Sequence, residues 1–219
     1  MMFKIELLES PASKLQHRHI GAIAALIVIS LLSSLAGTPK PHLISNCWQG
    51  FIWGLADPVI SLNCLAGIVT IGLLSAGVVR SASITLGFVL AAVLGIAIHL
   101  CHFNFSGVEI AIGISTIASG IMLVIPKQLN FMVLALLSVT AGWFQGYANA
   151  ESITGAEMIP LIAYILGMTL TQFAVAMSAK EIGSAMLMGE TNGILPKIRR
   201  FAGFAFCAIG IVFLSNLVI

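Results

Sequence analysis

A series of long, almost uncharged apolar stretches constrains this chain more than any motif it contains. Crossing about 30 Å of hydrocarbon takes roughly 20 apolar residues in a helix rising about 1.5 Å per residue. Runs of that order extend from Pro58 to Val79, Ala82 to His102, Val108 to Ile125, Leu129 to Asn149, Met158 to Met177 and Phe201 to Ile219. A chain of 219 residues that is 59% hydrophobic and 8% charged cannot enclose its apolar surface in one water-soluble core. The remaining apolar solvent is lipid. The runs are continuous and rich in Leu, Ile, Ala and Gly, which excludes the alternating strands of a transmembrane barrel. The expected fold is an all-α polytopic transmembrane bundle.

The N-terminal segment carries Lys4, Lys14 and Arg18 ahead of an apolar run from Ile20 to Gly37. This pattern fits a signal anchor, and Ser34 and Ala36 equally fit a cleaved signal. About seven spans follow if the segment is retained and six if it is removed. The organisation expected is a segment 1–37 followed by a transmembrane domain 38–219. Between them lies a Trp-rich stretch from Asn46 to Ala56, too short to span, with Trp48 and Trp53 suited to the headgroup level or to a segment folded back into the protein.

Charge reports topology. With a cytoplasmic N-terminus, seven spans place Lys4, Lys14, Arg18, Arg80, Lys127, Lys180, Lys197, Arg199 and Arg200 on the cytoplasmic side, leaving only Lys40 of the 10 basic residues outside. The same threading puts Asp57, Cys64, His99, Cys101, His102, Glu109, Gln145, Asn149, Glu151 and Glu157 in the outer half. A net charge of +2 without a basic face excludes nucleic-acid binding. Cys47, Cys64, Cys101 and Cys207 show no paired spacing and imply no disulfide framework.

Three constellations carry candidate chemistry. Asp57 precedes Pro58, with Asn63 and Cys64 about two turns on; a helix starting at Pro58 places Asp57 and Cys64 near one face, where they could ligate a borderline or soft metal. Asp57 before a proline is also a good N-cap, and both readings stand. His99 and His102 fall one turn apart, as a pair of imidazole ligands or as a polar cap at the interface. Gln145 and Asn149, with Glu151 at the boundary, offer oxygen ligands or inter-helix hydrogen bonds. No P-loop, nucleophile elbow, zinc-protease or dinucleotide motif is present, so no enzyme is expected.

The segment Leu55-Ala-Asp-Pro-Val-Ile-Ser-Leu-Asn-Cys-Leu-Ala66 and the segment Phe144-Gln-Gly-Tyr-Ala-Asn-Ala-Glu151, together with the span pattern, resemble the HupE/UreJ family over most of the chain. That family pairs a signal-like segment and about six spans with a His-x5-Asp-His motif opening one span and a later Phe-His-Gly-x-Ala motif followed by a glutamate. The resemblance implies a permease for nickel or cobalt, or an accessory membrane protein of hydrogenase or urease maturation, in a bacterial inner or internal membrane. It implies a transported Ni2+ or Co2+ rather than a resident cofactor. This chain carries Asp57, Asn63 and Cys64 at the first motif and Gln145 in the histidine position of the second, so the expected imidazoles are replaced by weaker or softer donors. The metal ligands anticipated are Asp57, Asn63, Cys64, His99, His102, Gln145 and Glu151. The partners anticipated are the bilayer, a divalent ion, and a membrane complex or a second copy. The alternative is a structural or assembly subunit that moves nothing.

Overall fold

The computed structural model describes residues 11–35, 44–103, 105–125, 130–151, 153, 157–188 and 195–218. Among these it is all-helical: α1 (Pro11–Leu35), α2 (Cys47–Ile60), α3 (Leu62–Ser75), α4 (Ser81–Leu100), α5 (Val108–Val124), α6 (Phe131–Glu151), α7 (Met158–Met188) and α8 (Leu195–Val218). The anticipated boundary at Gly37, the cleavage site after Ala36, and Lys4, Lys40 and Lys127 lie outside the described residues.

Among the described residues four helices, α4, α6, α7 and α8, are long and apolar enough to cross a membrane, and a fifth span results if the bent pair α2 and α3 is counted as one. The anticipated seven, or six with a cleaved signal, is not reached among these residues, where α5 and the apolar part of α1 from His19 to Ser33 are shorter. Bulky apolar side chains face outward along these helices, including Leu86, Leu90 and Leu94 on α4, Leu166, Leu170 and Phe173 on α7, and Phe201, Phe204 and Ile211 on α8. Their spacing at every third or fourth residue makes lipid-facing stripes on helices whose other face is buried. The chain is an integral membrane protein.

Reciprocal glycines hold the helices together. Gly50 and Gly54 of α2 lie on the backbone of Pro160 and Tyr164, and Gly167 of α7 lies on Phe51. Gly142 and Gly146 of α6 lie on Phe88 and Ala92 of α4, while Gly95 of α4 lies on Trp143. Gly113 and Gly120 of α5 meet Leu214 and Gly203 of α8. In lipid the gain from bringing helices together comes from close packing, which small residues permit.

These contacts fix the sense of each helix. Gly72 against Ala176 and Ala76 against Gly183 make α3 and α7 parallel. Gln145 against Gly67 and Asn149 against Cys64 make α6 antiparallel to α3. Pairing of α4 with α6 is parallel, and pairing of α5 with α8 is antiparallel. Arg80, Lys180, Lys197, Arg199 and Arg200 therefore share one end of the bundle, where Arg199 donates to the Ile125 carbonyl at 3.0 Å. Glu109, Glu151 and Glu157 lie at the other end, with Asp57 buried in that half.

Of the two places open to the Trp-rich stretch it takes the one inside the protein: it is helical and forms α2, packed on α7. Trp53 packs against the core around Tyr164, and Trp48 remains exposed beside Phe51. One expectation changes: no helix begins at Pro58, which lies within the last turn of α2. The next helix starts after Ser61, whose extended backbone (φ −78, ψ 109) turns the chain and whose hydroxyl accepts from the Cys64 N–H. Pro58 cannot donate to the carbonyl one turn back, which weakens α2 just before the break. The two halves meet at a bend of 76°.

Candidate functional site

The break between α2 and α3 brings a carbonyl end and an amide end together inside the bundle, and the buried Ser30, Asp57, Gln145 and Asn149 lie near it. Non-regular backbone at such depth is sustained where it is enclosed by protein or lines a polar cavity. Several groups at and just before the break have partners: the Ser61 N–H donates to the Asp57 carbonyl at 3.1 Å, Ser30 on α1 donates to the Ile60 carbonyl at 3.4 Å, and Thr171 on α7 donates to the Leu55 carbonyl at 3.1 Å.

Asp57 is the charge at the centre of this arrangement. It is 8% exposed, and Tyr164 of α7 donates its phenolic proton to Asp57 Oδ2 at 2.8 Å. Asp57 is inside α2 rather than capping a helix, so the capping role considered for it falls to Ser61. An enclosed carboxylate in a membrane helix is costly and marks a functional site by default.

Cys64 lies beyond the break from Asp57, in the first turn of α3, and is buried. Its thiol donates to Asn149 Oδ1 at 3.3 Å, and the same carboxamide donates from Nδ2 to Met168 Sδ at 3.5 Å. Asn149 is thus gripped by two sulfur atoms, one on α3 and one on α7. Gln145, one turn away on α6, donates from Nε2 toward the Asn63 carbonyl at 3.5 Å and occupies the space left by the missing side chain of Gly67. Asn63 joins the cluster through this backbone oxygen.

The other anticipated ligands stand apart. The helix carrying His99 ends at Leu100, and His102 takes a left-handed backbone (φ 60) beyond it, so the two imidazoles do not share a helical face. The cause is the exposed Cys101 to Phe103 turn, which ends α4 before the second histidine. His99 packs edge-on against Tyr147, whose hydroxyl donates to the Phe103 carbonyl at 2.6 Å and ties the α4–α5 connection to α6. Glu151, two residues beyond Asn149, is exposed at the end of α6 and points away from the face that carries Gln145 and Asn149. Among the described residues no three His, Cys, Asp or Glu side chains converge as a metal cluster. The described thiols of Cys47, Cys64, Cys101 and Cys207 are all free.

Tyr164 and Met168 escaped sequence reasoning. The available signal was periodic: Tyr164, Met168 and Gln172 recur at every fourth position of an otherwise apolar span, which places them on one face.

The fold and site define a multi-pass membrane protein with a broken helix and an enclosed acidic and sulfur-bearing centre at the break. The chain matches the HupE / UreJ protein family over residues 21–213, and it belongs to that family. No curated protein and no solved structure matched it.

Proposed function

We propose that the chain is a metal-ion permease in which the ion enters at the break between α2 and α3. The family's association with nickel and cobalt makes these the first ions to test. The observation that carries the reading is the buried Asp57 carboxylate, placed where two helix ends meet, with the buried Cys64 in the first turn of the helix beyond the break. Asp57 would supply charge, Cys64 and Met168 soft donors, and Asn149 and Gln145 amide oxygens. Discontinuous membrane helices that place ion ligands at their ends are a recurring device of secondary transporters.

The positive-inside rule assigns the end bearing Arg80, Lys180, Lys197, Arg199 and Arg200 to the cytoplasm of a bacterial cell. Asp57 then lies toward the opposite compartment, and the ion is captured there and moved inward. Exposed Glu109, Glu151 and Glu157 at that end would raise the local cation concentration. The role that follows is metal supply to a metalloenzyme maturation system. Nickel and cobalt accumulation in cells with and without the chain tests it, and unchanged accumulation removes the permease reading.

A second reading is favoured by one observation, the lack of three converging ionisable ligands among the described residues. On that reading the chain is an assembly subunit of a larger membrane complex or a homo-oligomer. Purification in mild detergent with elemental analysis separates the two, since a stoichiometric bound partner without metal belongs to the subunit.

A further inference from the structure

Gln172 of α7 is fully enclosed, and neither its Oε1 nor its Nε2 has a hydrogen-bond partner among the described residues. Gln145 Oε1 on α6 is in the same position at 1% exposure. Helix register brings the two amides to one level. Asn149 contacts Met168, and α6 and α7 run in opposite senses. Gln145 precedes Asn149 by one turn and Gln172 follows Met168 by one turn, each on the face already in contact. Gly67 opens the third wall, since a side chain there would collide with the Gln145 amide.

An unsatisfied buried polar atom costs about 1–3 kcal/mol, so a membrane protein gains nothing from three on one level unless something answers them. The set comprises two acceptor oxygens and one donor nitrogen. A bare cation would suit the oxygens and be repelled by the Nε2 hydrogens, and an anion would do the reverse. Water donates and accepts, and an enclosed water needs about two to four polar partners. Thr85 Oγ1 on α4 is also fully enclosed and without a partner among the described residues, at a level nearer the basic end. It lies beside Ile84, which Ser138 contacts two turns before Gln145.

We propose that Gln145 and Gln172 line an inner chamber that holds water one turn inside the Asn149–Met168 contact, and that an ion leaving Asp57 crosses this level carrying part of its hydration shell. The second half rests on the permease reading; the first does not.

X-ray hydroxyl-radical footprinting of the full chain in a lipid nanodisc tests the chamber, because radicals form from enclosed water and oxidise the nearest reactive side chain. Met168, fully enclosed, should be oxidised at a rate comparable with exposed Met132 and Met158. Gln172→Leu should lower Met168 oxidation several-fold, leave Met132 unchanged, and leave the thermal midpoint equal or raised. Gln172→Met, similar in length but without the amide, is the second variant should the first not fold. An unlabelled Met168 in the native chain, or equal labelling in the variants, overturns the chamber. Nickel uptake in the same nanodisc-tested variants then reads the ion's route. Uptake lost with Met168 labelling supports it, and uptake retained overturns the hydrated crossing while the chamber stands. Native labelling without uptake by the native chain supports the chamber and removes the permease reading alone.

Discussion

Tyr164 donates a 2.8 Å hydrogen bond to Asp57, joining the second turn of α7 to the last turn of α2, the helix that breaks at Ser61. The bond does two things. It gives an enclosed carboxylate a charge-assisted partner, and it fixes the broken segment against α7, where Gly50 and Gly54 already sit flush on the Pro160 and Tyr164 backbone.

Replacing Tyr164 with Phe keeps the ring and deletes the donor. Hydrogen bonds to charged groups contribute about 1.5–3 kcal/mol, so the variant should unfold at a visibly lower denaturant concentration in detergent. Chemical denaturation followed by Trp fluorescence checks this, and a midpoint equal to the native one would mean that Asp57 does not depend on the phenol.

Cys64→Ser separates ligand from glue. The serine hydroxyl can still donate to Asn149, so stability should change little, but the soft donor is gone. Metal uptake should fall roughly 10–100-fold, the range for loss of a partner at a metal site. Uptake per folded molecule is the measurement, and equal uptake would remove Cys64 from the ion's path.

Gly146→Val drives a side chain into the Ala92 carbonyl of α4, and the two helices must separate. Overpacking of this kind costs about 1–3 kcal/mol or more. Gly77→Ala is the control, because its added carbon meets only Leu187 Cδ1 at 3.6 Å. Thermal unfolding in one detergent should show a clear loss for the first and almost none for the second.

Ser61→Ala removes the acceptor that begins α3. Loss of an N-cap costs about 0.5–2 kcal/mol, and the effect should appear as faster hydrogen exchange at Cys64 and its neighbours. Unchanged exchange there would mean that the break is held by the surrounding helices alone.

The sequence was legible where length and hydropathy decide. The run Ala82 to His102 is α4 within two residues at each end, and Val108 to Ile125 is α5 almost unchanged. It misled at Pro58, because a proline after an aspartate looks like a helix start and here closes one. The Trp-rich stretch was too short to span and left two places open, the headgroup level or the protein interior; Gly50 and Gly54 let it pack as a helix against α7, a packing signal that hydropathy does not carry. At the site, Asp57, Cys64 and Gln145 stood out as chemically unusual in apolar surroundings. Tyr164 lies 107 residues from its partner Asp57, and Asn149 lies 85 residues from its partner Cys64, and nothing local announces that the fold brings them together.

The most direct measurement of the central claim is nickel and cobalt flux into proteoliposomes holding the full chain, compared with Asp57→Asn, which keeps an acceptor for Tyr164 but removes the charge. The account predicts flux with the native chain and its loss in the variant at equal protein and equal thermal midpoint. Flux that survives the substitution would contradict it.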